Sequence, residues 1–222
     1  MKQRLLYELA CENESIRFSP YCWRTKLALA HKNLSFEGVP WHFTQKDVLA
    51  FSNQGKVPVF VDGETVISDS QTIAEYLETT YPNEASLFGD AATRALINFV
   101  RAWTDDVLHP AIVPLVVADV WALLGPKDKE YFRETREQYL GRKLEDFAPQ
   151  RETYLAAFKK VLAPLRKTLK GQSFLAGAAP NYADHIVFGA LKWAQLTSAK
   201  PLFDDEPEIT AWMAAVLGTY GL

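Results

Sequence analysis

The chain has 222 residues, 48% of them apolar, and a formal net charge of −3 at pH 7. This length and apolar content suit one large globular domain or two small ones with buried cores, so disorder is not expected. The small net charge and the scattered Lys and Arg residues argue against nucleic acid as a partner. Its two cysteines, Cys11 and Cys22, lack the number and spacing of a disulfide framework or a zinc site, and we predict no metal.

The N-terminal stretch MKQRLLYELACENES has no long apolar segment after its charges, unlike a signal peptide. The longest apolar run, AIVPLVV, is too short to cross a bilayer. We therefore expect a cytoplasmic protein without a membrane span.

Strand-like and helix-like segments alternate over the first third of the chain. Four segments predict strands: LLYELA, LSFEGVP, VPVFVDG and TVIS. Ser19 followed by Pro20 predicts the start of a first helix, and FTQKDVLAF predicts a short one. Asp69 is expected to cap a third helix, SQTIAEYLETTY, which stops before Pro82.

The order of these segments predicts their pairing. A helix separates the first two strands, which are therefore expected to be parallel, whereas a tight DGE turn makes the last two antiparallel. Residues 1–82 are thus predicted to form an α/β domain. PNEASLFGD, rich in turn formers, is the candidate linker to a second domain over residues 91–222.

From residue 91 onward the pattern is helical. The first of these helices has apolar residues at spacings of three and four: Leu96, Phe99, Val100, Trp103 and Val107. Pro110 and Pro114 are expected to kink it. KDKEYFRETREQYLGRKLEDF and YLAAFKKVLAPLRKTL predict further helices, and Asn181 with Asp184 forms a capping box that is expected to start a buried helix.

The stretch FSPYCWRTK has the ingredients of a CxxC redox loop, with Ser19 where the attacking cysteine of a thiol redox protein would stand. Locally, Ser19 is a helix cap, and capping alone would explain it. Cys22 lacks a partner cysteine, which favours buried packing over reactivity. Cys11 is likewise interpreted as packing.

The Ser-Pro helix start, the VPVF strand, the DS pair before IAEYL and the all-helical second half together resemble the cytosolic glutathione S-transferase family. The most specific segment is VPVFVDGETVISDSQTIAEYLETTYP. FSPYCWRTKLAL, PWHFTQK and REQYLGRKLED are further similar to the bacterial β-etherase and fungal etherase-like branch, whose members carry serine at this helix start.

The resemblance implies a thioredoxin-like α/β N-terminal domain followed by an all-α helical-bundle C-terminal domain, and a homodimer. It implies glutathione as co-substrate and a cis Pro58 that presents the Val57 backbone to the cysteinyl part. Asp69 and Ser70 would hold the γ-glutamyl end, since a helix N-terminus and a Ser hydroxyl bind carboxylates and Asp69 accepts from the ammonium. Further candidates for glutathione binding, supported by less, are Lys56, His42 and Gln54.

The chemistry requires a thiolate, whereas a free thiol with a pKa of about 8.5 is mostly protonated at neutral pH. Lowering that pKa by about two units takes roughly 2.7 kcal/mol. A charge-assisted hydrogen bond from Ser19, worth about 1.5–3 kcal/mol, and a helix-dipole contribution of about 0.3–1 kcal/mol suffice. Arg24 either adds positive potential or forms a structural ion pair. No histidine, neither His31, His42, His109 nor His185, has a motif spacing to Ser19 that suggests a catalytic triad.

An apolar electrophile pocket is expected between the domains, lined by Tyr21, Trp103 and Val107, although a tryptophan at helical spacing more often belongs to a core. The primary hypothesis is a glutathione transferase acting on a hydrophobic electrophile such as an aryl ether. Alternatives are a glutathione-dependent dehalogenase or peroxidase, or a non-catalytic carrier of glutathione and hydrophobic ligands. Serine at the attacking position disfavours a glutaredoxin-like thiol transferase.

Overall fold

Four short strands form a mixed sheet in the computed structural model, which describes residues 3–222. They are β1 (Arg4–Leu9), β2 (Glu37–Trp41), β3 (Val59–Asp62) and β4 (Thr65–Ser68), in the order β2-β1-β3-β4. β1 and β2 are parallel and β3 and β4 are antiparallel, as the sequence predicts, and β3 is also antiparallel to β1. β2 begins later than predicted because Leu34 is buried and its N–H bonds to Leu29 at the end of the preceding helix.

Two helices and a 3₁₀ turn complete the α/β half. α1 covers Pro20–His31 and α2 covers Ser70–Thr80, while the 3₁₀ turn Lys46–Ser52 lies in the segment predicted as a short helix. The core between the sheet and these helices is formed by Leu6, Leu29, Phe60, Ile73 and Leu77. This half is the predicted thioredoxin-like domain.

The second half is helical throughout its regular structure, as predicted. Its helices are α3 (Ala91–Trp103), α4 (His109–Leu123), α5 (Pro126–Leu140), α6 (Arg151–Val161), α7 (Ala163–Leu169), α8 (Tyr182–Thr197) and α9 (Pro207–Tyr220). The segment YLAAFKKVLAPLRKTL, predicted as one helix, divides into α6 and α7 just before Pro164, which cannot donate a helical hydrogen bond. The capping box is confirmed: the Asn181 N–H donates to Asp184 Oδ2 at 3.1 Å, and α8 is largely buried.

A π-helical turn, Thr104–Leu108, joins α3 to α4. We expected kinks at Pro110 and Pro114, but the irregular turn comes before both of them, and Pro114 lies inside α4. Pro110 lacks the N–H that an α-helix would donate to Asp106, and its ring crowds that carbonyl. A wider π turn accommodates this, and such turns frequently mark functional sites.

The continuous run Ala91–Leu123 is long and apolar enough to cross a membrane, with a mean hydropathy of 1.6 over its most apolar window and 39% of that window buried. The expectation drawn from AIVPLVV missed this because it counted uninterrupted apolar residues rather than the whole helix. A single such helix is weak evidence for a membrane span, since core helices of globular proteins have the same length and composition. Its α4 part packs into the core through Ile112, Leu115, Val116 and Val120.

The apolar spacing along α3 does not mark its core face. Leu96 is 67% and Phe99 70% exposed, and Val107 in the π turn is 42% exposed. Ile97 and Thr104 are buried instead. α3 therefore packs through a narrower face than the sequence suggests, and it leaves two large apolar side chains in solvent.

Several polar contacts tie the two halves together, and three of them join residues far apart in sequence near the starts of α1, α2 and α5. They are the Arg24–Asp105 ion pair at 2.7 Å, the Tyr182 hydroxyl donating to the Ser70 carbonyl at 2.9 Å, and the Thr44 N–H donating to Asp128 at 3.0 Å. The first two hold the N-terminal turns of α1 and α2 against the helical half, and the third holds the loop after β2.

Candidate functional site

The register of the sheet brings three predicted segments to one end of it. Tyr7 on β1 pairs with Val59 at the start of β3, and Val59 pairs with Ser68 at the end of β4. Because β3 is antiparallel to both neighbours, the residues before it and after β4 lie beyond the carboxyl end of β1. The segments that meet there are Ser19 at the start of α1, Val57–Pro58, and Asp69–Ser70.

Ser19 is the N-cap of α1, with its backbone in the extended region. Its Oγ accepts from the Cys22 N–H at 3.3 Å, and the residue is 4% exposed. Accepting this bond leaves the hydroxyl proton free to donate to another group. The site therefore offers one hydroxyl donor beside the free N–H groups of a helix N-terminus.

Both cysteines are free and fully buried. Burial raises the pKa of Cys22 to about 12, with a smaller contribution from the charge of Glu8, and raises that of Cys11 to about 11. Neither thiol ionises near neutral pH. The interpretation of both as packing residues agrees with these surroundings.

The Val57–Pro58 peptide bond is cis. Val57 is half-buried, and its N–H and C=O pair with no other backbone group in the described chain. A free main-chain edge of this kind is available to an extended peptide ligand. Lys56 is exposed beside it and is not part of an ion pair within residues 3–222.

Asp69 caps α2 through Oδ1, which accepts from the Gln71 and Thr72 N–H groups, each at 3.0 Å. Its φ of 73° is unusual, because an ordinary N-cap residue has β-region backbone. Such a conformation costs about 1–3 kcal/mol in a non-glycine residue and is found preferentially at functional sites. Ser70 next to it is buried and is fixed by the Tyr182 hydroxyl.

His42 lies between two carboxylates at the junction of the two halves. Its Nε2 is 3.2 Å from Glu14, and its Nδ1 is 3.6 Å from Asp128. Asp128 is itself buried and accepts from the Phe43 and Thr44 N–H groups. The ring is therefore engaged by the protein's own acidic side chains.

The predicted electrophile-pocket residues lie in different environments. Tyr21 is 38% exposed, its ring is edge-on to His109 at 5.5 Å, and the Arg24 guanidinium lies 4.6 Å from its centroid. Trp103 is half-buried against the core, and Val107 is exposed. Two cavities, of about 760 Å³ between α8 and α9 and about 230 Å³ beside α3, are lined by none of these three.

Arg24 forms a structural ion pair, which is one of the two alternatives that the sequence left open for it. It is 2% exposed and bonded to Asp105 in the π turn. Burial lowers the pKa of the neighbouring His109 to about 4, assisted by the Arg24 charge and opposed by Asp105. His109 is therefore a neutral imidazole at pH 7, next to Tyr21.

Sequence comparison decides the family. The glutathione S-transferase N-terminal domain matches residues 15–85, and the glutathione S-transferase C-terminal domain matches residues 95–214. The chain belongs to the glutathione S-transferase family. It is a transferase, and its fold is the one that the resemblance implied.

Individual relatives of this glutathione transferase align with it over nearly its whole length. Glutathione S-transferase of Hyoscyamus muticus is 26% identical over 207 residues, covering 90% of this chain and 89% of that protein. Glutathione S-transferase 3 of Zea mays is 29% identical over 213 residues, covering 89% and 85%.

Two fungal crystal structures have the same fold. GSTFuA3 of Phanerochaete chrysosporium matches with a TM-score of 0.87 and 26% identity, covering 98% of this chain and 97% of that one. CsGST63524 of Ceriporiopsis subvermispora, solved in complex with glutathione, matches with a TM-score of 0.83 and 23% identity, covering 99% and 96%.

Two residues near the candidate site of this transferase escaped sequence analysis. Tyr182, which fixes Ser70, and Asp105, which pairs with Arg24, act across the domain junction, where no local pattern connects the partners. The one available signal was the i, i+4 spacing of Asp105 and His109, whose side chains lie 3.6 Å apart.

Proposed function

We propose that this transferase binds glutathione in an extended form along the carboxyl end of β1 and activates its thiol at the N-terminus of α1. The observation that carries this proposal is the meeting of Ser19, Val57–Pro58 and Asp69–Ser70 at one end of the sheet. A hydroxyl donor, a free main-chain edge and a second helix N-terminus follow one another there. The hydroxyl donor and the main-chain edge suit the central cysteinyl residue of an extended tripeptide, and the second helix N-terminus suits the carboxylate at its γ-glutamyl end.

In this arrangement the Val57 backbone pairs with the cysteinyl residue. Asp69 accepts from the γ-glutamyl ammonium, and the Ser70 N–H and hydroxyl donate to the adjoining carboxylate. Lys56, exposed beside the main-chain edge, pairs with the glycine carboxylate. His42 is not needed there, since Glu14 and Asp128 already engage it.

Ser19 donates its hydroxyl proton to the thiolate, while the free N–H groups of α1 add positive potential. The thiol proton leaves to solvent, the sulfur attacks the electrophilic carbon, and the leaving group departs with the bonding electrons. Ser19 acts by stabilising charge rather than as a nucleophile. Cys22, buried and protonated, takes no part.

The electrophile is proposed to bind on the helical side of the thiolate, near Tyr21, Trp103 and Val107. An aryl ether is the substrate class that the resemblance of FSPYCWRTKLAL, PWHFTQK and REQYLGRKLED favours. A halide or a peroxide would use the same thiolate. A carrier would bind glutathione and hydrophobic ligands without forming a bond between them.

A turnover measurement distinguishes the substrate classes from one another and the enzyme from a non-catalytic carrier. The purified protein is incubated with glutathione and a panel of aryl ethers, aryl halides and hydroperoxides, and the thioether or disulfide product is measured by chromatography. We expect thioether formation with the ether or halide substrates. Tight binding of glutathione without any product across the panel would contradict the enzymatic proposal and favour the carrier.

We further propose a homodimer and a cytoplasmic location. The exposed Leu96 and Phe99 on α3 supply an apolar surface that a second chain would cover. The free, buried state of both cysteines suits a reducing compartment.

A further inference from the structure

Two histidines from different helices meet at one tyrosine hydroxyl near the end of the chain. His31 is the last residue of α1, His185 lies in α8, and Tyr220 is the last residue of α9. The Tyr220 hydroxyl is 2.8 Å from His31 Nδ1 and 2.8 Å from His185 Nε2. These three residues, the C-terminal cluster, therefore join three helices at a single oxygen atom.

The hydrogen bonds assign every proton in the C-terminal cluster. His31 Nε2 lies 3.1 Å from the Ser86 carbonyl oxygen, which only accepts, so this nitrogen carries the ring proton. Nδ1 of the neutral ring then accepts from the Tyr220 hydroxyl. Because that hydroxyl has donated its only proton, it accepts from His185 Nε2. His185 Nδ1 is left as a buried acceptor without a hydrogen-bond partner within residues 3–222.

A further proton does not fit into this arrangement. A proton on His31 Nδ1 would face the proton of the Tyr220 hydroxyl, which would then lose its acceptor. A proton on His185 Nδ1 would create a buried, charged donor without an acceptor. The centroids of the two imidazole rings are 5.4 Å apart, so two positive charges there would also repel each other. Protonation of these histidines therefore requires that their rings reach water.

The ionisable groups around the cluster do not compensate for such charges. Lys32 forms an ion pair with Glu78 of α2 at 2.7 Å, so these two charges oppose each other. The Asp184 carboxylate accepts from three groups outside the cluster, and the Tyr182 ring packs edge-on against that of His185. Burial lowers the pKa of both histidines, that of His185 well below its usual value.

The last turn of α9 is held less firmly than the rest of that helix. The earlier turns are anchored by four buried side chains: Ile209, Trp212, Met213 and Val216. The Trp212 indole N–H also donates to Asp184 Oδ1 at 2.9 Å. After Val216 the side chains of α9 are half-buried or exposed. The contacts of Tyr220 with the two histidines are therefore a major part of what holds residues 217–220 against α1 and α8.

We propose that the C-terminal cluster is an acid-sensitive latch: protonation of His31 and His185 releases the last turn of α9 from α1 and α8, while the earlier turns stay packed. In the released state both rings reach water and titrate near pH 6.5, so acid favours release by up to about tenfold per histidine between pH 7.5 and pH 5.5. The latch lies about 18 Å along α1 from Ser19 and is separate from the proposed thiolate site.

Hydrogen–deuterium exchange of the wild type at pH 7.5 and pH 5.5 tests the latch. Protection factors, corrected for the intrinsic pH dependence of exchange, are measured for the amides of residues 217–220. We expect them to fall by about tenfold to a hundredfold at pH 5.5. Exchange of these amides is also expected to be insensitive to low urea concentrations, because releasing one turn exposes little surface. Residues 212–215 are expected to exchange more slowly at both pH values.

Single variants identify the titrating groups. His185→Gln removes one titration and keeps a side-chain N–H donor, so the fall at residues 217–220 is expected to shrink to less than about tenfold. His31→Gln makes the same test through the other ring if His185→Gln does not fold. His109→Gln is the matched control, because burial also lowers the pKa of His109, to about 4, but His109 lies outside the cluster. It is expected to keep the wild-type fall.

Equal protection of residues 217–220 at both pH values would overturn the latch. So would exchange of these amides with the full urea dependence of global unfolding, since the turn would then not open by itself. Retention of the whole wild-type fall in a folded His185→Gln or His31→Gln variant would show that the replaced histidine does not operate the latch, and would overturn the two-histidine assignment.

Discussion

Asp69 caps α2 and is proposed to bind the ammonium of glutathione as well, and these two roles can be tested separately. One carboxylate oxygen caps α2, and the residue adopts a positive φ that a cap does not require. Asp90 caps α3 in the ordinary extended conformation, and its side chain accepts from the Thr93 N–H at 2.8 Å. The same side chain thus serves as a cap alone in one place and as a cap with a proposed ligand contact in the other.

Replacing each aspartate by alanine tests the difference. Asp69→Ala is expected to weaken glutathione binding about tenfold or more, because a charge-assisted bond to the ammonium is lost. Asp90→Ala is expected to lower the melting temperature without changing that affinity. Calorimetry and thermal unfolding of both variants check this, and an unchanged affinity in folded Asp69→Ala would exclude the contact.

Residue-scale predictions from the sequence succeeded where the signal was local. The cap at Ser19, the cap at Asp69 and the capping box at Asn181 depend on neighbouring residues, and the structure has all three. The partners of Arg24 and His42 could not be predicted in the same way. Asp105 and Asp128 come from distant parts of the chain, and only the packing of the two halves brings them close.

At the scale of elements, the packing of α1 on α8 positions the start of α1. Gly189 of α8 lies directly against α1: an added Cβ would overlap the Pro20 carbonyl oxygen and lie 3.3 Å from Arg24 Cγ. Pro20 follows Ser19, so a shift there moves the proposed thiolate site. Because the Pro20 oxygen belongs to the backbone, it cannot rotate away as a side chain could, and the two helices would have to move apart.

Gly189→Ala is therefore expected to destabilise the protein by about 1–3 kcal/mol, the usual cost of overpacking, and to lower transferase activity. Gly218→Ala is the matched control, since it lies in α9 with nothing within 4 Å of the added Cβ. It is expected to raise stability by about 0.4–1 kcal/mol through helix propensity. Urea unfolding of both variants measures this, and equal stability changes would contradict the account of the α1–α8 contact.

The main element types, the parallel pair of the first two strands and the antiparallel pair of the last two followed from hydrophobic period, turn residues and connections. The misjudged feature was α3, whose spacing suggested a packed face at Leu96 and Phe99, whereas the structure exposes both. Periodicity identifies an apolar face but does not say whether the same chain or a second one covers it. The division into residues 1–82 and 91–222 stays a prediction.

On the scale of the whole molecule, a hydrogen-bonded chain joins α1, α8 and α9. His31 Nε2 donates to the Ser86 carbonyl, so in the neutral ring Nδ1 accepts from the Tyr220 hydroxyl at 2.8 Å. Tyr220 in turn accepts from His185 Nε2 at 2.8 Å. Burial lowers the pKa of His31 and lowers that of His185 well below its usual value.

Stability is expected to fall with acid as a result. In the unfolded chain these histidines titrate near pH 6.5, so below that pH the unfolded state binds more protons than the folded state. The contribution of the two histidines to the free energy of unfolding is complete above about pH 6.5 and is lost as the pH falls. At pH 5.5 the loss is up to about 1.4 kcal/mol for each histidine that stays neutral in the folded state. Urea unfolding at pH 7.5 and 5.5 measures it.

His185→Gln is expected to show a shallower loss of stability between these pH values. The charged groups that face this hydrogen-bonded chain are the same in both proteins: Lys32, Glu78 and Asp184. Burial raises the pKa of Asp184, so in both proteins Asp184 opposes the loss of stability in acid. A His185→Gln variant with the wild-type pH dependence would contradict this account.

The proposed dimer is tested by charging its apolar surface. Light scattering of the wild type at micromolar concentration is expected to give twice the chain mass of 25.1 kDa, and Phe99→Asp to give the mass of one chain. Tyr139→Asp is the control, because this tyrosine of α5 is 85% exposed but lies outside α3. A monomeric wild type would exclude the dimer.

The central claim is that the Ser19 hydroxyl stabilises the glutathione thiolate as well as capping α1. Ultraviolet titration of bound glutathione, on the wild type and on Ser19→Ala with melting temperatures recorded in parallel, tests it most directly. Losing the cap is expected to cost about 0.5–2 kcal/mol of stability. Losing the charge-assisted bond is expected to raise the pKa of the bound thiol by about one to two units. If Ser19→Ala lost stability while its bound thiol ionised at the wild-type pH, Ser19 would be a cap alone, and the thiolate would depend on the helix N–H groups or on Arg17, two residues before Ser19 in the sequence.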